Sequence, residues 1–452
     1  MNKNIKISIK KKDFTIQLIL IGFFLKEFSR NLLYPNLIII SHSFFGEGRF
    51  EAIEMGLLAT ALMGGSAIAC LLFGILADKI SRKLATILSL IFWTLGLIFS
   101  ASAINYYILL LGLLLIGFGS GGYIPVAQAI IADGAPLNKK GYYYGLSSIF
   151  TLIGMICGLL IASILFPLWQ LSYLIAAILT IIMFIIYGII GKNYKVGGIE
   201  KISKDKLDNN EGLNYDYHLT WKKFKELFKN KSNLLIFIEG LFSVFGMAII
   251  IFSFYPFLIE GPAHLTPFIV SLIYILIIIP FQLLGIFFWG KLGDNLEKKN
   301  EKIRVWLITL SFIIMIPFFI LVFWIQGTPA KSTDTLEAAL KNPGILSFIV
   351  IFVIGAFLLG IYDSNQPPII NSINLPETRG SVYAVNRFLE ELGGAIGPLI
   401  LGVIFESSDQ NFSLAISIGM LFFIPGSICW ILILKTFNKD RQRIIKTLNE
   451  RI

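Results

Sequence analysis

Twelve apolar runs, each about as long as a bilayer is thick, constrain this 452-residue chain more than anything else in it. They lie near 14–40, 55–77, 84–102, 107–132, 141–165 and 168–190, then near 233–259, 267–292, 303–325, 344–372, 381–405 and 412–435. A helix of about 20 apolar residues crosses the hydrocarbon core. An unpaired backbone group in lipid costs several kcal/mol, so helix is the economical choice for each run. Composition agrees: 56% of residues are hydrophobic, 15% are charged and the mean hydropathy is +0.78. Soluble domains carry about 25% charged residues, so a cytosolic globular protein is excluded. Cys70, Cys157 and Cys429 stand far apart in apolar runs, which fits packing rather than a disulfide or metal framework. No metal or cofactor is expected.

A net charge of +10 could mean nucleic acid or a membrane surface. The placement of the charges decides. With the N-terminus inside, the inside segments hold 32 basic and 15 acidic residues, and the outside loops hold 3 and 8. That asymmetry follows the positive-inside rule. It puts both termini in the cytoplasm, needs no nucleic-acid partner and fits the plasma membrane. The domain organisation is a cytoplasmic tail (1–13), a six-helix half (14–190), a polar linker (191–232), a second six-helix half (233–435) and a cytoplasmic tail (436–452). Near the linker's end Trp221, Phe224 and Phe228 share one helical face and lysines the other, which predicts an interfacial helix.

The halves repeat each other. Gly141, Tyr144, Gly154 and Gly158 match Gly380, Tyr383, Gly393 and Gly397 at an offset of 239. Gly74-Ile-Leu-Ala-Asp78 matches Gly290-Lys-Leu-Gly-Asp294 at an offset of 216. Two like-oriented six-helix units are a transporter architecture, because they can rock about a central site. The fold class read here is therefore an all-α polytopic membrane protein with 12 transmembrane helices in two six-helix parallel repeats.

At Gly74-Ile-Leu-Ala-Asp78-Lys79-Ile80-Ser81-Arg82-Lys83 the sequence resembles the major facilitator superfamily. That family's hallmark between spans two and three is Gly-x-Leu-Ala-Asp-Arg-x-Gly-Arg-Arg/Lys; Ser81 replaces its second glycine. The resemblance implies a cytoplasmic gate. Asp78 would brace span eleven and Arg82 would reach Asp133, with Gly74, Asp294, Arg387 and Glu391 completing the latch. Span four, Gly117-Phe-Gly119-Ser-Gly-Gly-Tyr123-Ile-Pro125, is similar to spinster-type lipid transporters. Ser120 stands where they carry Glu, and Glu27-x-x-Arg30 replaces their Asp-Arg pair, so spinster substrate and mechanism are not carried over. The proline of the drug-antiporter motif in span five is missing from Gly154-Met-Ile-Cys157-Gly158.

Ionisable groups inside spans cost about 2.5–3.5 kcal/mol each and are functional by default. Lys26, Glu27 and Arg30 share one side of span one, at i, i+1 and i+4. The resemblance places span one along the cavity. Glu27 reads either as a proton-coupling carboxylate beside an anion-anchoring Arg30, or as half of a static Glu27–Arg30 pair. Asp363 lies before Pro367-Pro368, which are expected to interrupt span ten; it reads as a site or as a hinge group. Glu239 reads as cavity-facing or as part of a gate. Arg387, Glu390 and Glu391 fall at i, i+3 and i+4 of span eleven. Asn31, Tyr34, Tyr123, Gln128, Asn365 and Gln366 are cavity candidates by span membership.

No His-Glu-x-x-His, Gly-x-Ser-x-Gly or Walker A motif occurs, and His42, His218 and His264 are read in loops, so no enzyme or ATP-driven pump is indicated. The function expected is secondary active transport of a small anionic, zwitterionic or amphiphilic organic solute, proton-coupled through Glu27, by a monomer in the lipid bilayer. Facilitated uniport and multidrug efflux stay open, as does a non-transporting receptor on a transporter fold.

Overall fold

Six of the spans begin where the residue before the helix supplies a hydrogen bond to its first N–H groups. In the computed structural model Ser81, Asn105, Asn230, Thr266, Asn342 and Asn411 all accept from the first turn of the helix that follows them. The structure describes residues 14–47, 50–136, 139–194, 227–325 and 335–450, without the side chains of residues 77, 78, 376 and 377. The expected interfacial helix at 221–229 falls mostly outside these residues. In the first half the helices are α1 (Thr15–Arg30), α2 (Leu33–Phe45), α3 (Ala52–Lys79), α4 (Arg82–Ala101), α5 (Tyr106–Gly134), α6 (Lys140–Ile164) and α7 (Trp169–Ile190). The second half holds α8 (Lys231–Glu260), α9 (Pro267–Ile273), α10 (Ile279–Glu297), α11 (Ile303–Trp324), α12 (Leu336–Lys341), α13 (Pro343–Ser372), α14 (Pro376–Ser407), α15 (Phe412–Met420) and α16 (Phe423–Asn449).

Eleven helical segments among the described residues are long and apolar enough to cross a membrane. The remaining span is α1 and α2 together, broken at Asn31 and Leu32. Pro35 has no N–H to give the Asn31 carbonyl, which accounts for the break. Span eight is also irregular: Tyr274–Ile278 forms a π turn between α9 and α10. Span ten differs from expectation, because α13 runs unbroken through Pro367 and Pro368. Both prolines sit in its last two turns, where helical φ suits them and only the carbonyls of Asp363 and Ser364 lose their N–H partners. His42, read as a loop residue, lies in α2. The segment read as a C-terminal tail continues α16 to Asn449.

The repeat is visible in the packing. In the first half α1 packs on α6, α3 on α5 and α4 on α7; in the second, α8 packs on α14, α10 on α13 and α11 on α16. Glycine permits the closest of these approaches. A Cβ at Gly154 would stand 2.1 Å from the Phe24 carbonyl oxygen, and one at Gly393 would stand 2.0 Å from that of Leu241. Small residues at such faces let backbones touch where lipid supplies no hydrophobic drive.

The halves meet chiefly along α3 and α14. We call the end carrying the Gly74–Lys83 segment the motif end and the opposite one the far end. From the far end inward, a Cβ at Gly402 would stand 2.5 Å from the Ala52 carbonyl and one at Gly56 2.6 Å from that of Pro398. Thr60 Oγ1 donates to the Ala395 carbonyl at 2.5 Å. The Phe50 ring inserts among Phe252, Phe405 and Phe412 of the other half. Ser163 meets Ser271 by hydrogen bond, and Tyr255 adds another to Ser271 at 2.8 Å. Among the described residues, the hydrogen bonds and ion pairs joining the halves lie at this end or at midspan. Toward the motif end, among the described residues, no neighbouring heavy atom comes within 4 Å of a Cβ built at Gly141, Gly145 or Gly380. Gly393→Val is expected to lower the melting temperature in detergent by forcing α14 off α8, at about 1–3 kcal/mol. Gly145→Ala is expected to leave it unchanged; equal melting of both variants contradicts the packing described.

Candidate functional site

Arg30 closes α1 at the middle of the first span, fifteen residues from Thr15. Its guanidinium reaches across to the other half, where Nη2 lies 3.4 Å from Glu391 Oε2. Glu391 is equally central in α14, which runs from Pro376 to Ser407. Arg387, one turn earlier, donates to Glu391 at 2.7 Å and to Glu390 at 3.4 Å. Asn386 donates to Glu390 at 2.6 Å. Arg387 and Glu391, expected at the cytoplasmic gate, lie at midspan in a cluster with Arg30. The Lys26 ammonium contacts the Glu27 carboxylate, which also accepts from Asn31 Nδ2 at 3.3 Å. No Glu27–Arg30 pair forms within ion-pair distance among the described residues. The cluster alternates in sign, so each buried charge has an opposite neighbour, as low dielectric demands.

Two neighbouring cavity compartments adjoin the cluster. The polar one, about 290 Å³, is lined by Ser243, Tyr362, Asp363, Gln366, Arg387 and Glu390 among others. The second, about 80 Å³, is lined by Asn31 and Tyr34 from the first half and by Phe254, Tyr255, Tyr274, Phe319 and Phe352 from the second. Met247, Gln282 and Leu359 line both. Arg387 is 53% exposed although it sits at midspan, because it projects into this opening. Asp363 therefore lies at the cavity. Glu239 does not line it: its side chain is wholly buried, and neither carboxyl oxygen has a hydrogen-bond partner among the described residues. The Trp430 indole N–H is likewise buried and unmatched.

The gate residues separate from this site. Arg82 Nε lies 3.3 Å from Asp133 Oδ2, the pairing that the resemblance implied. In the second half Arg304 takes the matching place at the start of α11. It contacts Asp294, pairs with Glu297 at 2.7 Å and donates to Asn365 of α13 at 2.9 Å. Gly74 has open space about it. The Asp78 side chain lies outside the described residues. Asn365 serves this brace, and Gln366 hydrogen-bonds Tyr362 at 2.6 Å. Tyr123 is buried and donates to the Ile19 carbonyl at 2.8 Å, a packing role. Sequence reasoning missed the ring-lined compartment; its signal was Pro280, which follows the π turn that presents Tyr274.

The fold matches that of known carriers. A family model described as the Major Facilitator Superfamily covers residues 19–398. NiaP of Bacillus subtilis, whose name proposes niacin/nicotinamide transport, is 25% identical over 86% of this chain and 88% of its own. The multidrug resistance protein MdtG of Proteus mirabilis is 25% identical over 74% and 75%. A bacterial homologue of the human lysosomal transporter Spinster, solved inward-facing and unoccupied, superposes with a TM-score of 0.72 at 18% identity, over 95% of this chain and 98% of that one. Removing one partner of a buried pair costs about 3–5 kcal/mol. Glu391→Ala is expected to destabilise the protein by that order and Arg30→Met/Glu391→Met to recover most of it, read by chemical unfolding. Additive losses in the double variant would show that the two residues act independently.

Proposed function

Because the chain belongs to the Major Facilitator Superfamily, we propose that it is a secondary active carrier of a small organic solute, working by alternating access around the Lys26–Glu27–Arg30 and Arg387–Glu390–Glu391 cluster. The observation that carries this reading is the Arg30–Glu391 contact, which joins the two halves at midspan, while the other close contacts between them among the described residues lie toward the far end. A solute entering between them meets ion pairs that differ between the two rocked states. The lysine and arginine distribution assigns the motif end and both termini to the cytoplasm of a plasma membrane. With that assignment we read the structure as inward-open, and the Arg82–Asp133 pair as part of a gate that latches when the molecule opens outward.

Three cations at midspan suit an anionic or zwitterionic solute. Its anionic group competes with Glu391 for Arg30 and with Glu27 for Lys26. A carboxylate stripped of its cation inside the membrane takes a proton, so solute and proton occupancy favour each other. Glu27 is the coupling carboxylate in this mechanism. Glu239, unmatched in the second half, is a further place where a proton can reside. A second reading, multidrug efflux or facilitated uniport, draws on the apolar ring-lined compartment and on the MdtG name among the relatives.

Proteoliposomes separate these readings. Wild-type protein is expected to accumulate an organic anion when a pH gradient is imposed. Glu27→Gln is expected to lose that accumulation and to keep solute counterflow. Unchanged gradient-driven accumulation in Glu27→Gln would remove Glu27 from the coupling step. Counterflow of the anion with no response to the gradient in wild type would favour uniport.

A further inference from the structure

The smaller compartment has a chemistry of its own. Phe254 and Phe352 lie 5.0 Å apart in a tilted pair, Phe254 and Tyr274 5.4 Å apart edge-on, and Phe319 and Phe352 5.7 Å apart edge-on. These separations and tilts are those at which aromatic rings attract beyond simple area burial. Tyr34 faces this group from the first half. The Tyr34 and Tyr274 hydroxyls make no hydrogen bond among the described residues. Tyr274 opens the π turn, in which the Ile279 N–H reaches back five residues to the Tyr274 carbonyl. Single π turns inside helices recur at functional sites. The amide groups at its wall are Gln282 and Asn31, the latter beside Arg30 at the break between α1 and α2. The chamber of about 80 Å³ shares Met247, Gln282 and Leu359 with the polar one of about 290 Å³, so a ring seated in the first has its substituent beside the second.

We propose that this compartment is a slot for the planar ring of an aromatic carboxylate, with the ring between Tyr34 and the Phe254–Tyr274–Phe352 group and the carboxylate turned toward Asn31 and the Arg387 side of the polar compartment. The inference rests on the carrier reading for transport but not for binding. Ring walls explain why the two halves meet around this chamber: the ring bridges Tyr34 of one half and Tyr274 of the other, so it is held only while both face it. An aliphatic acid of equal charge fills similar space without the ring–ring attraction. A multi-ring drug exceeds the chamber.

The test uses the full-length protein in nanodiscs. Binding of radiolabelled benzoate is measured at millimolar and lower concentrations, with nicotinate and cyclohexanecarboxylate as competitors. Cyclohexanecarboxylate matches benzoate in carbon count and charge but has no π face. Nicotinate is expected to compete about as well as benzoate, and cyclohexanecarboxylate about tenfold less well. Tyr274→Leu is expected to erase the tenfold preference, and Tyr274→Phe to keep it. If Tyr274→Leu does not fold, Phe352→Leu is read in the same way. No saturable benzoate binding, equal competition by cyclohexanecarboxylate, or a preference that survives the leucine variants would each overturn the slot. Aromatic binding without counterflow would retain the slot and reject the carrier reading. Gradient-driven uptake of aliphatic anions alone would do the reverse.

Discussion

Arg30 and Glu391 come from opposite halves of the chain, 361 residues apart, and meet where neither has bulk water to fall back on. A charge inserted at midspan is expensive, and a buried pair that loses one partner leaves the other stranded. The halves cannot separate at this level unless something else takes up the two charges. Arg387 offers Glu391 a second cation, at 2.7 Å. Lys26 and Glu27 form an adjoining pair on the same helix as Arg30. The cluster is therefore a set of exchangeable partners, which is the property a binding site between two moving bodies needs.

The rest of the fold serves that exchange. Glycine faces hold α6 on α1 and α14 on α8, so each half moves as a packed unit around the helices that carry the charges. The far end is closed by contacts that are tight but separable: backbone approaches at Gly56 and Gly402, one inserted phenyl ring and two serine hydroxyls. Few covalently distant polar bonds must break there. At the motif end the paired arginines act within halves, Arg82 on α5 and Arg304 on α13, and stiffen each unit. A carrier needs rigid halves and a soft seam between them, and the distribution of small residues and ion pairs supplies both.

Much of this was legible in the sequence because lipid punishes exceptions. Apolar runs must be helices, a lysine or arginine outside them marks a side, and a charge within them marks a site. Lys26, Glu27, Arg30, Asp363 and Glu239 stood out on that ground alone, and Asp363 does line the cavity. What stayed hidden depends on rotation about helix axes and on long-range partners. Spacing groups Arg387, Glu390 and Glu391, but it does not say that the group turns toward Arg30. Glu239 reads like any intramembrane acid, yet it is sealed among neighbours that leave its oxygens unmatched. Prolines misled in both directions: Pro367 and Pro368 ride within α13, while the single Pro35 goes with a broken span one. Their effect depends on whether the carbonyl left without a donor has other support, which only the folded chain reveals.

The central claim is that the halves rock, opening one end as the other closes. Distances between spin labels test it directly. In a cysteine-free background, Gly141→Cys with Gly380→Cys reports the motif end, where both positions have free space about them. Ile104→Cys with Glu337→Cys reports the far end, where both side chains are exposed. The account predicts that a shift in solute or pH shortens the first distance and lengthens the second together. A first distance that changes while the second stays fixed, or two distances that stay constant under every condition that supports transport, would contradict it.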